Sequence, residues 1–507
     1  MFEPSLKFYL WTVCYILVAV GLTSYGLHRY FIIYLYQKHK KKPPQPQSYF
    51  KKLPRVTVQL PIYNEYYVVK RLIKSVAQLD YPKNLLEIQV LDDSTDSTSK
   101  IAKQEVECLV KAGFNANYIH RNNRRGFKAG ALEEGMAKAS GEFIFILDAD
   151  FVPTPGILHQ AIHYFTDPKI GMIQTRWGHL NRSYSLLTRV QAMFLDGHLL
   201  LEQTARSRSG RFFNFNGTAG IWRKSCIENA GGWQHDTLTE DLDLSYRAQL
   251  AGWRFLFLPE LVTPAELPVN MNGFKSQQHR WTKGSIQTCK KLLPTIWKSD
   301  FPLGIKLEAT AHLTSNFAYI LLLGLCILLH PSFNCVEPGA WRTLIFDFPV
   351  FIAGSTSVIV FYCYSQREVQ PKTWVREIVL MPLLISIGIG LAINNAKGVL
   401  EAVFNHQSEF TRTPKYGIDD RRQDWRNSCY YPLKNLLPLI ELAFACYFAY
   451  FVYYAIIQHQ WTTLPFVLLF QFGFIYVAFS SLSQWLQLRR NSESPEPVEG
   501  TEAIPSA

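Results

Sequence analysis

The sequence predicts a soluble α/β domain set between membrane-spanning helices, and three observations carry that reading. Apolar residues make up 48% of the 507-residue chain, yet they gather into stretches at 8–36, 309–330, 346–364, 376–395, 438–457 and 463–483. Each is near the roughly 20 residues that a bilayer-spanning helix needs. Between the first two stretches, over 53–300, strand-like and helix-like patterns alternate, which is the signature of one α/β domain. Within that region apolar runs end on clusters of aspartate, at Asp92-Asp93 and again at Asp148-Ala149-Asp150.

The first apolar stretch lacks a basic leader and a small-residue cleavage pattern, so residues 1–52 read as a retained anchor and a basic linker. Lys38, His39, Lys40, Lys41 and Lys42 follow it. By the positive-inside rule the soluble domain is then cytosolic and the amino terminus faces outward. Stretch 376–395 has basic residues on both sides, Arg367, Lys372 and Arg376 before it and Lys397, Arg412 and Lys415 after it. Both flanks therefore read as cytosolic, with the stretch interfacial or buried among its neighbours. That leaves five crossings plus interfacial helices, with six as the alternative. Residues 301–487 form this membrane region, 396–436 being a cytosolic loop within it, and 488–507, rich in Ser, Pro and Glu, read as a disordered tail.

The net charge of +12 points to membrane lipids and an anionic substrate as partners, since the excess lies beside apolar stretches and no nucleic-acid-binding motif is present. Nine cysteines without C-x-x-C pairs or Cys/His spacing indicate neither a zinc site nor a disulfide framework.

The soluble domain opens with an extended run, Val56–Pro61, a loop at Tyr63-Asn64-Glu65 and a helical pattern from Val68 to Leu79. A second unit repeats this plan: Leu86–Leu91 as strand, then Asp92–Ser97 as a loop rich in helix-capping residues. Capping alone accounts for some of these aspartates. The fully apolar strand Phe143–Leu147 runs into Asp148 and Asp150. Two carboxylates one residue apart repel each other unless a cation compensates them, and such oxygen-rich sites suit Mg²⁺ or Mn²⁺ held jointly with phosphates. The segment His120–Gly130 mixes cations with glycine just ahead of a helical pattern, which suits an anion near a helix amino terminus but equally a solvated basic loop. Thr239-Glu240-Asp241 and Gln277-Gln278-His279-Arg280-Trp281 follow.

Taken in order, Asp92-Asp93, D-x-D at 148–150, T-E-D at 239–241 and Q-x-x-R-W at 277–281, then membrane helices, resemble the processive family-two glycosyltransferases. The phrase Leu91–Asp96 and the single anchor are similar to plant cellulose-synthase-like mannan and glucan synthases and their bacterial relatives. Asn216-Gly217-Thr218 resembles the family's acceptor-side loop. Phe410–Lys415 resembles its F-x-x-T-x-K gating loop, with Arg412 where valine is usual.

This resemblance implies an α/β GT-A (Rossmann-like) catalytic domain inserted between transmembrane α-helices of a multi-pass protein in the plasma membrane or another internal membrane. It implies an inverting transfer of a hexose from UDP-glucose or GDP-mannose, with a lean to UDP-glucose, onto a growing β-linked polysaccharide. The roles it implies are specific. Asp92 and Asp93 contact the nucleoside, Asp148 and Asp150 hold the metal, and Lys128 and Arg280 offset the charge of the leaving group. Asp241 is the base, with Glu240 beside it. Gln277, Trp281, Asn216, Gly217 and Thr218 bind the acceptor, while Phe410, Thr413 and Lys415 gate. The competing readings are transfer of a single sugar to a lipid acceptor and a non-catalytic nucleotide-sugar sensor, the latter of which would tolerate loss of D-x-D or T-E-D.

Overall fold

The computed structural model describes residues 6–335, 351–407, 412–420, 422–425 and 436–493. Seven strands form one mixed sheet: β1 (Val56–Ile62), β2 (Leu86–Asp92), β3 (Asn115–His120), β4 (Phe143–Ile146), β5 (Ile170–His179), β6 (Gly220–Arg223) and β7 (Arg254–Ala265), in the order β3-β2-β1-β4-β6-β5-β7. Strand β6 is antiparallel to both of its neighbours, and the other pairings are parallel. Every residue of β2 and β4 is buried, as expected for central strands covered on both faces by helices. The order runs outward from β1 through β2 to β3 and then resumes on the other side with β4. The crevice beyond the carboxyl ends of β1 and β4 is therefore a topological switch point, where ligands of such sheets sit.

The helices are α1 (Leu6–His39), α2 (Val69–Val76), α3 (Thr98–Lys111), α4 (Phe127–Lys138), α5 (Ile157–Ile162), α6 (Leu186–Asp196), α7 (Gln203–Arg208), α8 (Lys224–Asn229), α9 (Glu240–Leu250), α10 (Met271–Lys298), α11 (Leu303–Thr314) and α12 (Phe317–Cys335). After these come α13 (Ser357–Val369), α14 (Trp374–Ile378), α15 (Met381–Gly390), α16 (Ala392–Val403), α17 (Leu437–Ile457) and α18 (Leu464–Glu493). Among the described residues, stretches within α1, α17 and α18 are long and apolar enough to cross a membrane, and the bent pairs α11–α12 (57°) and α15–α16 (41°) would bring the number to five. Residues 346–350 of the third apolar stretch, and Phe410, lie outside the described residues.

Three boundaries differ from the sequence reading. Helix α2 stops at Val76 rather than Leu79. Residues 396–403 belong to helix α16 rather than to a loop, because Ala396, Val399 and Ala402 bury against α10 and α12. Helix α18 continues to Glu493, past the expected start of the tail.

The helices of the α/β domain and those of the apolar region interlock. Met271 and Phe274 of α10 share a core with Leu384 and Ile387 of α15 and Val477 of α18. Lys275 and Glu441, both almost fully buried, form a 2.6 Å ion pair between α10 and α17. Helix α14 is tied to the α/β domain by Glu377 with Arg189 of α6 (3.1 Å), and α16 by Glu401 with Lys283 of α10 (3.0 Å).

Candidate active site

The switch-point crevice is a cleft that collects most of the residues singled out in the sequence: Asp93, Lys128, Asp148, Asp150, Asn216, Gly217, Glu240, Asp241, Gln277, Arg280, Trp281, Thr413 and Lys415 all line it. Asp93, Asp148 and Asp150 follow strand ends, Lys128, Glu240 and Asp241 open helices, Gln277, Arg280 and Trp281 lie within α10, and Thr413 and Lys415 lie on an irregular segment.

Asp92 does not line it. Its carboxylate is fully buried and accepts hydrogen bonds from Tyr118 Oη (2.6 Å) and the Ser94 amide (2.9 Å), with His120 Nδ1 at 3.1 Å. These contacts shape the loop after β2 and leave the cleft face to Asp93. Asp93 takes a fork-like pair of bonds from Arg121 Nε (2.6 Å) and Nη2 (2.5 Å), the geometry that fixes both partners most firmly.

Lys128, in the first turn of α4, donates to Asp148 (2.5 Å) and to the Gly217 carbonyl (2.9 Å). Burial works against its charge, but Asp148 and Glu240 outweigh it and raise the ammonium above its usual range. The Asp148 amide donates to Thr218 Oγ1 (2.8 Å). Thr218 itself is buried behind the cleft wall and ties the two loops together. Gly217 has φ +80°, and a Cβ there would lie 2.9 Å from Asp241 Oδ2. Only glycine meets both demands.

Glu240 and Asp241 open α9, where the helix dipole favours negative charge. Burial first, and then the adjacent carboxylate of Glu240, push Asp241 up to about 7; burial raises Glu240 as well. An ordinary aspartate would be too weak a base for a hydroxyl, and this environment corrects that. Helix α10 stands close by because Gly284 lets it touch Thr239: a Cβ there would be 2.8 Å from the Thr239 amide nitrogen. Asn270 caps α10 by accepting from the Gly273 amide (2.7 Å). The i, i+3, i+4 spacing then points Gln277, Arg280 and Trp281 from one face into the cleft. Trp281 lies 6.5 Å from Trp177, centroid to centroid.

The far wall is segment 412–417. Arg412 Nη1 is 2.7 Å from Glu65 Oε2, and burial drives Glu65 up to about 7 against that cation. Lys415 Nζ donates to Asp150 Oδ2 (2.7 Å) and the Glu266 carbonyl (2.7 Å). The Glu266 carboxylate accepts from the Tyr416 and Gly417 amides, both at 2.9 Å. The sequence reading assigned no role to Glu65, Trp177 or Glu266, although each sits at or just beyond the end of a strand, β1, β5 and β7 respectively, which was the available signal.

A second cavity shares Asn216, Asp241, Gln277 and Trp281 with the first and continues between the membrane-side helices to Tyr319, Tyr362 and Leu391. Gln191, His198, Asn214 and Asn316 line it on the way.

Residues 54–284 match the family profile described as "Glycosyltransferase like family 2". Glucomannan 4-beta-mannosyltransferase 7 of Arabidopsis thaliana is 42% identical over 252 residues, 49% of this chain and 45% of the relative. Glucomannan 4-beta-mannosyltransferase 1 of Cyamopsis tetragonoloba is 38% identical over 300 residues, 56% and 57% respectively. The chain thus spans about half the length of the curated relatives it matches. The solved mannosyltransferase PcManGT from Pyrobaculum calidifontis, in complex with GDP-Man and Mn²⁺, shares the fold at TM-score 0.54 and 19% identity, covering 77% of this chain and 99% of that one. A mixed sheet with its carboxylates at the switch point lies wholly within the residues that match the family-two glycosyltransferase profile, and its fold is GT-A-like and Rossmann-like.

Proposed function

We propose that the chain is an inverting membrane mannosyltransferase that extends a β-linked polysaccharide of glucomannan or mannan type from GDP-mannose. The observation that carries the reading is the continuity of the two cavities past Asp241, with amide and hydroxyl groups along walls set between apolar helices. A lipid chain has no use for such walls, whereas a sugar polymer does. The plant relatives are mannosyltransferases by name, and the Pyrobaculum neighbour binds GDP-Man. These favour mannose over the glucose of the sequence reading.

In this reading Asp241 takes the proton of the acceptor hydroxyl as its oxygen bonds the anomeric carbon and the bond to the diphosphate breaks on the opposite side. Lys128 and Arg280 receive the charge developing on the leaving group. Trp281 offers a ring face to the acceptor sugar, and Gln277, Asn216 and the Gly217 turn orient it. Asp93 faces the nucleoside.

Among the described residues no cluster of three or more metal-ligating side chains occurs. Asp148 and Asp150 still fit a hard divalent ion, which is commonly held by one or two carboxylates with substrate phosphates and water completing its shell. Each already faces an ammonium, Lys128 or Lys415. When bound there, Mg²⁺ or Mn²⁺ supplies charge neutralisation of the diphosphate.

Purified full chain in nanodiscs, given radiolabelled GDP-mannose or UDP-glucose with Mn²⁺, is expected to make a high-molecular-weight β-mannosidase-sensitive product from GDP-mannose. A product bearing one sugar on lipid, or incorporation from UDP-glucose alone, would overturn the assignment.

Segment 412–417 acts at the diphosphate as a gating element, with Arg412 anchoring it to Glu65 and Thr413 packed behind. Lys415→Ala is expected to have two opposite effects: turnover falls about tenfold with loss of a charge-assisted bond, while Mn²⁺ binds the free protein more tightly because Asp150 loses its competitor. Unchanged values of both in a titration and rate assay would reduce the segment to a connector.

Five crossings, those of α1, α11–α12, the 346–364 stretch, α17 and α18, with α15–α16 not crossing, and a cytosolic catalytic domain complete the proposal. Support comes from Glu377 and Glu401, which bracket α15–α16 and both pair with the α/β domain, so that stretch begins and ends on one side. A cysteine placed at Asp419 is expected to react only with a reagent applied from the cytosolic face; reaction from outside would require a different count.

A further inference from the structure

At the basic end of α1 a cleft that shares no lining residue with the two cavities above opens between α1, α7, β5, β7 and the end of α13. Its walls carry Lys40, Lys41, Arg176 and Arg208 against two carboxylates, Glu260 and Glu368. The carboxylates engage only part of this charge. Glu368 holds Lys40 (2.7 Å) and accepts from Tyr36 Oη (3.0 Å). Glu260, largely exposed, reaches Arg208 Nη2 at 3.2 Å. The Arg176 guanidinium is anchored through Nε to the Pro259 carbonyl (2.9 Å).

Two residues of the same cleft carry buried donors that have no hydrogen-bond partner among the described residues: Thr204 Oγ1, on a residue 1% exposed, and Arg208 Nε, on a side chain 6% exposed. Leaving such donors unmade is costly. A surplus of two positive charges beside unmade donors is the chemistry that recognises a phosphate.

The position identifies the source. Contacts between α1 and the neighbouring segment pair Tyr30 with Thr356, Tyr36 with Tyr364 and Lys40 with Glu368. Both chains thus run in the same direction and end at the same level, where α1 emerges with its lysines. A cleft between helix ends at that level faces lipid headgroups rather than bulk solution. We propose that it is a binding site for the phosphate headgroup of an anionic lipid in the cytosolic leaflet. It rests on α1 being a membrane helix and not on the transferred sugar.

The test uses native mass spectrometry of the full chain released from nanodiscs of phosphatidylcholine doped with phosphatidic acid or phosphatidylinositol 4-phosphate. The wild-type protein is expected to retain one phosphate-bearing lipid in preference to phosphatidylcholine. Lys41→Gln and Arg176→Gln should each weaken retention about fivefold, the effect of one cation near an anionic headgroup. Lys38→Gln, a lysine of the same basic rim outside the cleft, should leave it unchanged. Equal weakening by Lys38→Gln would mean diffuse surface attraction and overturn the site. Full displacement of the lipid by millimolar inorganic phosphate, or no preference over phosphatidylcholine, would overturn the lipid assignment.

Discussion

Asp241→Asn is expected to lower turnover about a thousandfold while donor affinity stays near wild type, a general base being worth 10²- to 10⁴-fold. The amide keeps the size of the side chain beside the Gly217 turn, and Asp148, Asp150 and Lys128, which face the diphosphate in the proposed mechanism, are untouched. Two further readouts follow from the elevated pKa. In the wild type, transfer needs the ionised carboxylate, so the rate should climb as pH rises through about 7. The folded carboxyl binds its proton more tightly than the unfolded one, whose value is near 3.8, so folding is favoured at low pH and loses stability as pH rises between those values. At neutral pH the asparagine removes a buried charge held next to Glu240, and the variant should melt at a higher temperature than wild type. A dead enzyme that is more stable is the combined signature. Turnover within tenfold of wild type, measured as nucleotide release, would remove Asp241 from the role of base.

Glu308→Ala is expected to cost about 4 kcal/mol of stability, the scale for removing one partner of a buried ion pair. Glu308 of α11 is 3% exposed and bonds both Arg206 Nε (3.0 Å) and His28 Nε2 (3.0 Å). Arg206, 2% exposed, also holds Glu202 (3.0 Å), and Glu202 in turn holds His198, which lies 3.3 Å from Asn216 in the second cavity. The alanine leaves one face of the buried guanidinium without an acceptor. It also cuts the bridge to α1 through His28. Glu308→Gln, which retains an acceptor oxygen, should lose less than half as much. Denaturant midpoints in detergent micelles measure both, and a loss under 1 kcal/mol for the alanine would show that the network is dispensable.

Much of this was legible in the sequence because the decisive signals are local. The fully apolar run Phe143–Leu147 leads straight into Asp148 and Asp150, and it forms a buried strand that delivers these carboxylates to its end. The helical spacing of Gln277, Arg280 and Trp281 likewise fixes a shared face. Asp92 was less legible than Asp93, because adjacent residues on a strand end point to opposite sides. Which of them faces the cleft depends on Tyr118 and His120 of the neighbouring strand β3, which hold Asp92. Glu65 and Glu266 were missed for a related reason: each acts through a partner more than a hundred residues distant, Arg412 for one and the amides of Tyr416 and Gly417 for the other. No periodicity encodes such a meeting. The elevated base strength of Asp241 was equally hidden, since desolvation is a property of the assembled cleft.

The ion pair of Lys275 with Glu441 has a bearing on dissection of the molecule. Helix α10 presents the acceptor-facing side chains, yet two residues before Gln277 it places an ammonium among apolar residues, where Glu441 of α17 and the Ser481 hydroxyl (3.4 Å) are the acceptors within reach. Cutting the chain after residue 300 would strip away both acceptors along with Leu384, Ile387 and Val477, which share a core with Met271 and Phe274. The helix would then carry an ammonium without these acceptors and a partly uncovered apolar flank two residues before Gln277. The α/β domain and the apolar helices therefore support each other through α10, and a chain ending at residue 300 would lack part of the scaffold that holds Trp281.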